Sequence, residues 1–164
     1  MIVVPRNKAE SVIMAQWACQ ILDTKLELFG FDRRGDPMFE TLGFSRNGEL
    51  MCVFIAYQFT SPNIFMAFAS TSARWASKEN VRALGVWIFE DLACTRMTTF
   101  TEKKNKRSRR FQEGMGFKHE GKLRKATDNG DVIIYGLTQT DHNVWLRKAF
   151  KGNCHSKESI AHAA

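Results

Sequence analysis

Residues 96–124 read RMTTFTEKKNKRSRRFQEGMGFKHEGKLR, and their order of strand, polar corner, short helix and Gly-Phe restart sets the fold. Met97, Thr98, Thr99, Phe100 and Thr101 suit a strand, which Lys103, Lys104 and Asn105 end with charge and a turn former. Asn105 is placed to cap a helix over residues 106–113, with Phe111 and Met115 on one face and Gly114 and Gly116 stopping it. Phe117 restarts extended structure.

Working back from this stretch, residues 77–92 predict a helix with Ser77 as N-cap, Glu79 in the first turn, and Val81, Leu84, Ile88 and Leu92 on one apolar stripe. The almost wholly apolar run 64–69 suits a central strand covered on both faces. Strand, helix and strand then form a β-α-β crossover, right-handed, with its two strands parallel. Earlier still, residues 39–45 and 50–59 flank Asn47-Gly48, whose residue types suit the positive φ angles of a tight hairpin, and Ser61-Pro62-Asn63 makes a second reversal. Residues 1–4 predict a short strand. Residues 9–22 predict an amphipathic helix carrying Val12, Ala15, Trp17, Cys19 and Leu22, and residues 32–37 (DRRGDP) an exposed connection on the substrate side. Toward the C-terminus, residues 125–131 have hairpin chemistry at Asn129-Gly130, residues 132–137 return as a strand carrying Tyr135, and residues 141–150 close with a helix.

A chain of 164 residues with 44% hydrophobic and 12% aromatic content can bury one core without disulfides or metal. The expectation is one domain over residues 1–150, with a flexible tail over 151–164. Cys19, Cys52, Cys94 and Cys154 lie far apart, without a C-x-x-C pair or a His cluster, so they read as reduced thiols and no metal is expected. The N-terminus lacks the apolar core of a signal peptide, and no run approaches about 18 apolar residues, which together predict a cytoplasmic protein with no membrane partner.

Asn105-x-x-Ser108, Gly116-Phe117 and Glu120-Gly121-x-x-Arg124 follow one another at a spacing that resembles the second half of the GNAT superfamily of acetyl-CoA-dependent N-acetyltransferases, most of all the ribosomal-protein alanine acetyltransferases. The resemblance covers residues 39–137. It implies a mixed α/β (α+β) fold: a central, mostly antiparallel sheet with one parallel, splayed strand pair and flanking helices. It further implies that acetyl-CoA lies in the splay, along Phe68, Ala69 and Ser70, with its diphosphate on the loop Arg74, Trp75, Ala76 and Ser77, and with Asn105, Arg110 and Phe111 also binding the cofactor. Helix N-termini favour such anions. This chain departs from the family where Gly-x-Gly-x-Ala is usual: Ala73, Trp75 and Ser77 stand there, and a Cβ obstructs the close backbone approach that glycine permits.

For the reaction, the resemblance implies attack of a neutral amine on the thioester, an oxyanion steadied by a backbone N–H near residues 68–70, and Ser108 donating to the departing thiolate. Gln112 occupies the position of the family's usual tyrosine and offers a hydrogen bond in its place. The base is open among Glu40, Glu102, His119 and Glu120, although Glu120 is also within reach of Arg124 across a turn. Acceptors open to such a site are a protein N-terminus, a side-chain amine, a small polyamine or an aminoacyl-tRNA amine, used by a monomer or homodimer. Lys103, Lys104, Lys106, Arg107, Arg109 and Arg110 form a basic run, and the net charge is +7. That charge suits coenzyme phosphates, but it equally suits a nucleic-acid- or ribosome-associated module on the same scaffold with little or no catalysis.

Overall fold

The computed structural model describes residues 1–150 of the chain, so the expected tail and Cys154 lie outside the described residues. Seven strands form one sheet in the order β1-β2-β3-β4-β5-β7-β6. They are β1 Ile2–Val3, β2 Phe39–Arg46, β3 Glu49–Thr60, β4 Asn63–Ser70, β5 Arg96–Glu102, β6 Lys118–Thr127 and β7 Gly130–Thr138. All neighbours are antiparallel except β4 and β5, which the crossover makes parallel. Helix α1 (Lys8–Leu22) covers the front of β2, β3 and β4, while α2 (Lys78–Val86), α3 (Lys106–Gly114) and α4 (Gln139–Phe150) lie behind the sheet. The mixed architecture anticipated from the sequence is the one observed.

Local chemistry explains most boundaries. Asn7 caps α1 by accepting the Glu10 N–H, and Asp23 ends it in the left-handed conformation. The buried face of α1 is Ser11, Met14, Ala15, Ala18 and Cys19, which corrects the expected stripe: Leu22 is exposed, and Ser11 is inside because its hydroxyl bonds Thr41 at 2.9 Å. In α2, Val81 and Leu84 face the core as expected, but a π turn over Trp87–Asp91 follows and shifts the phase, so Leu92 is only partly buried. Asn47 and Gly48 both have positive φ, as the tight β2–β3 turn requires. Cys19, Cys52 and Cys94 are free and buried, and burial pushes all three thiols up, so they pack as small apolar groups.

Two hydrophobic clusters, one on each side of the sheet, hold the layers together. The front cluster joins Met14, Ala15 and Ala18 of α1 to Val53, Ile55 and Ala69. The larger rear cluster includes Phe44, Phe54, Trp75, Ile88, Tyr135 and Leu137. On that side α4 docks through Trp145, whose Nε1 donates to the Gly114 carbonyl at 2.7 Å, and through His142. A Cβ on Gly85 would overlap His142 Nε2, so glycine is required for the close approach of α2 and α4.

His142 is buried, and neither ring nitrogen has a hydrogen-bond partner among the described residues. Burial lowers its pKa from the ordinary 6.5, so the folded chain holds the imidazole neutral. Below that value the unfolded chain binds a proton that the folded chain refuses, and stability falls with pH; well above it the two states bind alike and the effect vanishes. Thermal midpoints are therefore expected to drop between about pH 6.5 and pH 5, and His142→Leu to remove most of the drop. A decline that survives the substitution would assign it to other groups.

Candidate active site

The parallel pair β4–β5 is joined only at Asn63↔Arg96, Ile64↔Met97 and Phe65↔Thr98. Beyond that point residues 66–70 and 99–102 remain strand but no longer pair with each other. β4 stays bonded to β3 and β5 to β7, so the two strands part as the walls of a wedge. Every second residue of each parted half turns its N–H and C=O into the gap, and such groups need partners. An extended ligand bearing amides suits this opening, because it can add to both free edges as a short strand would.

Behind the wedge, α3 is tied to β5 by a buried polar spine. Gln112, 1% exposed, accepts from the Thr99 hydroxyl at 2.5 Å and donates through Nε2 to Thr101 at 2.6 Å and to Ser108 at 3.1 Å. Both Nε2 hydrogens are thereby used, so Gln112 has no N–H left to offer a leaving group, contrary to the expected role; it positions Ser108 instead. Ser108 Oγ is an acceptor in that bond, and its own hydrogen has no acceptor among the described residues. Asn105 caps α3 by accepting the Ser108 N–H at 3.0 Å, as anticipated from the spacing.

An aromatic cluster bridges the same side. Phe68 on the parted half of β4 meets Phe111 of α3 at 5.6 Å, and Phe111 meets Trp75 at 5.5 Å. Trp75, only 1% exposed, stacks on Phe44 at 5.4 Å and meets Phe54 edge-on at 5.0 Å. Its ring is therefore core, and of the loop that was expected to cradle a diphosphate only Arg74 and Ser77 stand exposed, with Ala76 half-buried.

The start of α2 is already occupied by its own side chains. Ser77 Oγ accepts the Asn80 N–H at 3.2 Å, and the Asn80 amide donates to the Trp75 carbonyl at 2.6 Å. The Glu79 carboxylate turns back on its own N–H and on the Ser77 hydroxyl, which holds it below the usual carboxylate range. Arg74 in the loop before α2, and Lys106, Arg107 and Arg110 on α3, make no side-chain bond or ion pair among the described residues. The other cations of the basic run are engaged: Lys103 with Asp131, Lys104 with Glu102, and Arg109 with the Tyr135 hydroxyl at 3.2 Å.

The candidate bases are scattered. Glu120 forms a two-point ion pair with Arg96 across the sheet rather than with Arg124, and Gly136 leaves room for its carboxyl group. Arg96 holds Glu120 below the ordinary carboxylate range, which makes it a weak base at neutral pH. Glu102 accepts from the Asn129 amide at 2.8 Å, Glu40 is exposed on β2, and the exposed His119 stands edge-on to Tyr135 at 6.0 Å. Tyr135 escaped the sequence reading as a site residue: it is buried behind α3, its hydroxyl donates to Glu113 at 2.6 Å, and burial raises its pKa. Only the alternation that pairs it with Thr99 pointed to this face.

Two cavities lie away from the wedge. One, about 650 Å³, opens between β1, β2 and α2 beside Ile2, Leu42 and Trp87; the other, about 200 Å³, lies between α2 and α4 beside His142. No group of three or more His, Cys, Asp or Glu able to hold a metal ion occurs among the described residues, and no helix there is long and apolar enough to cross a membrane.

No family model and no curated protein matches the sequence. Solved structures do match in shape. The ribosomal-protein-S5-alanine acetyltransferase from Vibrio fischeri superposes with a TM-score of 0.59 at 12% identity, covering 85% of this chain and 93% of that one. Mutant forms of the spermidine/spermine N-acetyltransferase SpeG from Vibrio cholerae give 0.57 at 11% identity over 65% and 68%. RimJ from Mycobacterium smegmatis, in complex with CoA-disulfide, gives 0.54 at 18% identity over 71% and 62%. These likenesses show the GNAT fold.

Proposed function

We propose that this chain is an acetyl-CoA-dependent N-acetyltransferase that moves acetyl to a primary amine by direct attack in a ternary complex. The observation that carries the reading is the wedge: two parallel strands part after Phe65 and Thr98, leaving facing backbone edges for an amide-bearing pantetheine arm. Neighbours of the same fold include a complex with CoA-disulfide and enzymes named for acetyl transfer to a ribosomal protein and to polyamines.

The chain suits the arm better than the diphosphate. Ala69 and Ser70 would flank the arm, and Arg74 and Arg110 would meet phosphate oxygens as exposed cations, in place of a glycine cradle. Bound acetyl-CoA supplies an activated acyl carbon: the amine nitrogen bonds to it, the C–S bond breaks with its electron pair on sulfur, and the proton lost by nitrogen is balanced by one gained by the thiolate. A backbone N–H from residues 68–70 steadies the oxyanion, and Ser108, held by Gln112 with its hydrogen free, donates toward sulfur. Glu120, fixed by Arg96, serves the acceptor side as an anion or through a water.

Calorimetry with acetyl-CoA, with desulfo-CoA and with a short duplex at two salt concentrations tests the reading. Cofactor binding with modest salt dependence is the expected result. The free cations Lys106, Arg107 and Arg110 favour one competing reading, a nucleic-acid- or ribosome-associated module, which steeply salt-dependent duplex binding without cofactor binding would support. Arg74→Ala is expected to raise the acetyl-CoA dissociation constant about fivefold, a modest effect because the side chain is exposed. An unchanged constant would place Arg74 away from phosphate.

A further inference from the structure

We infer that the acceptor is a primary amine carried on an aromatic or bulky apolar body, seated on a shelf of ring faces at the front of the wedge; this rests on the transferase reading above. Across the front of the sheet the rings touch in series: Phe29 to Tyr57 at 5.1 Å, Tyr57 to Phe65 at 6.1 Å, and Phe65 to Phe100 at 5.4 Å with 14° between planes. Beneath α1 this series is ordinary core, with Phe29 5% exposed. α1 packs chiefly on β2, β3 and β4, and beyond it the series emerges into solvent and ends at Phe100, 43% exposed.

Phe65 is the last β4 residue paired with β5, and Phe100 lies in the parted half of β5, so their stack stands where the strands diverge. At the rear of the wedge Phe68 meets Phe111 of α3, on the side where Arg74 and Arg110 would hold the coenzyme under the transferase reading. An amine reaching the wedge therefore comes from the front and passes the face of Phe100. Ile134, which pairs with Phe100, and Leu123, 44% exposed, continue the apolar surface onto β7 and β6.

Charge separates this class of acceptor from the polyamines. A polyamine brings cations beyond the one that must lose its proton, and those need carboxylates. The two carboxylates on the front of β5 and β6 are already engaged, Glu120 by Arg96 and Glu102 by Asn129 and Lys104. Residues 64–71 contribute none, and the net charge of +7 repels a polycation. An aromatic body instead covers Phe100 and needs no counter-charge.

The test measures acetyl transfer by the full chain to 2-phenylethylamine, to a peptide beginning with Phe, to a peptide beginning with Ala and to spermidine. One or both aromatic amines should exceed spermidine in kcat/KM by about tenfold or more, and the two aromatic arms separate a free amine from a peptide terminus. Phe100→Ala should lower transfer to the aromatic acceptors about tenfold without changing the acetyl-CoA dissociation constant, and Phe100→Leu should recover part of it. A preference for spermidine, or an equal effect of Phe100→Ala on every amine, would overturn the shelf while leaving the transferase standing. Acetylation of no amine would overturn the transferase reading and the shelf together.

Discussion

Trp75→Ala is expected to lower the free energy of unfolding by about 3–5 kcal/mol, measured by denaturant titration, because a full indole leaves the core and the site cannot collapse onto it. The ring is 1% exposed and is held by Phe44, Phe54 and Phe111, which come from two strands and a helix. Such a neighbourhood is rigid from several directions, so the cavity persists. Trp75→Phe should recover more than half of the loss, since ring contact with Phe44 is kept. A loss below about 1 kcal/mol would mean that the indole is not packed as described. The outcome matters for the site as well as for stability: Phe111 touches both Trp75 and Phe68, so the indole braces the rear wall of the wedge.

Trp75 stood in the sequence on the loop expected to meet a diphosphate, and the reason its burial was harder to read than the elements around it is physical. Turn and cap chemistry is local: Asn105 capping α3, positive φ at Gly116, and the Asn47-Gly48 turn follow from residue type at one position. The strand–helix–strand order was therefore legible, and so was the parallel pair that the crossover demands. Where the pair parts was not legible, because the run 64–69 is equally apolar before and after Phe65, and only the pairing of β5 with β7 and of β4 with β3 draws the two strands to different neighbours.

Partner choice among charges was hidden for a related reason. Glu120 reaches Arg96 across 24 residues of sequence because β7 lies between their strands and Gly136 leaves the space, whereas spacing alone suggested Arg124. Gln112 shows the converse. Its position in the motif was noticed, but its burial was not, since a polar residue between Phe111 and Glu113 reads as helix surface until β5 presents two threonine hydroxyls to it. Glu79, read as a favourable first-turn acid, brings negative charge to the same helix start that an anion would use; helix-dipole reasoning describes both uses and does not choose between them.

Ser108→Ala is expected to reduce kcat for acetyl transfer about 100-fold while leaving the acetyl-CoA dissociation constant within about twofold, because the hydroxyl would donate to a charge that forms on sulfur only as the C–S bond breaks. The structure supplies the orienting half of that role: Gln112 Nε2 donates to Ser108 Oγ, and the spine through Thr99 and Thr101 fixes the amide that does so. Ser108→Cys, with a weaker donor of similar reach, should fall between. Gln112→Leu should mimic part of the kinetic loss and add a stability cost, since it strips partners from two buried threonine hydroxyls as well as from Ser108. The pattern separates donation from mere packing: Ser108→Ala keeps the helix N-cap, which uses the backbone N–H, and leaves one Gln112 Nε2 hydrogen without its acceptor, so its loss of stability should be about 1 kcal/mol and smaller than that of Gln112→Leu. Unchanged turnover in Ser108→Ala would remove the hydroxyl from the reaction, leaving thiolate release to solvent.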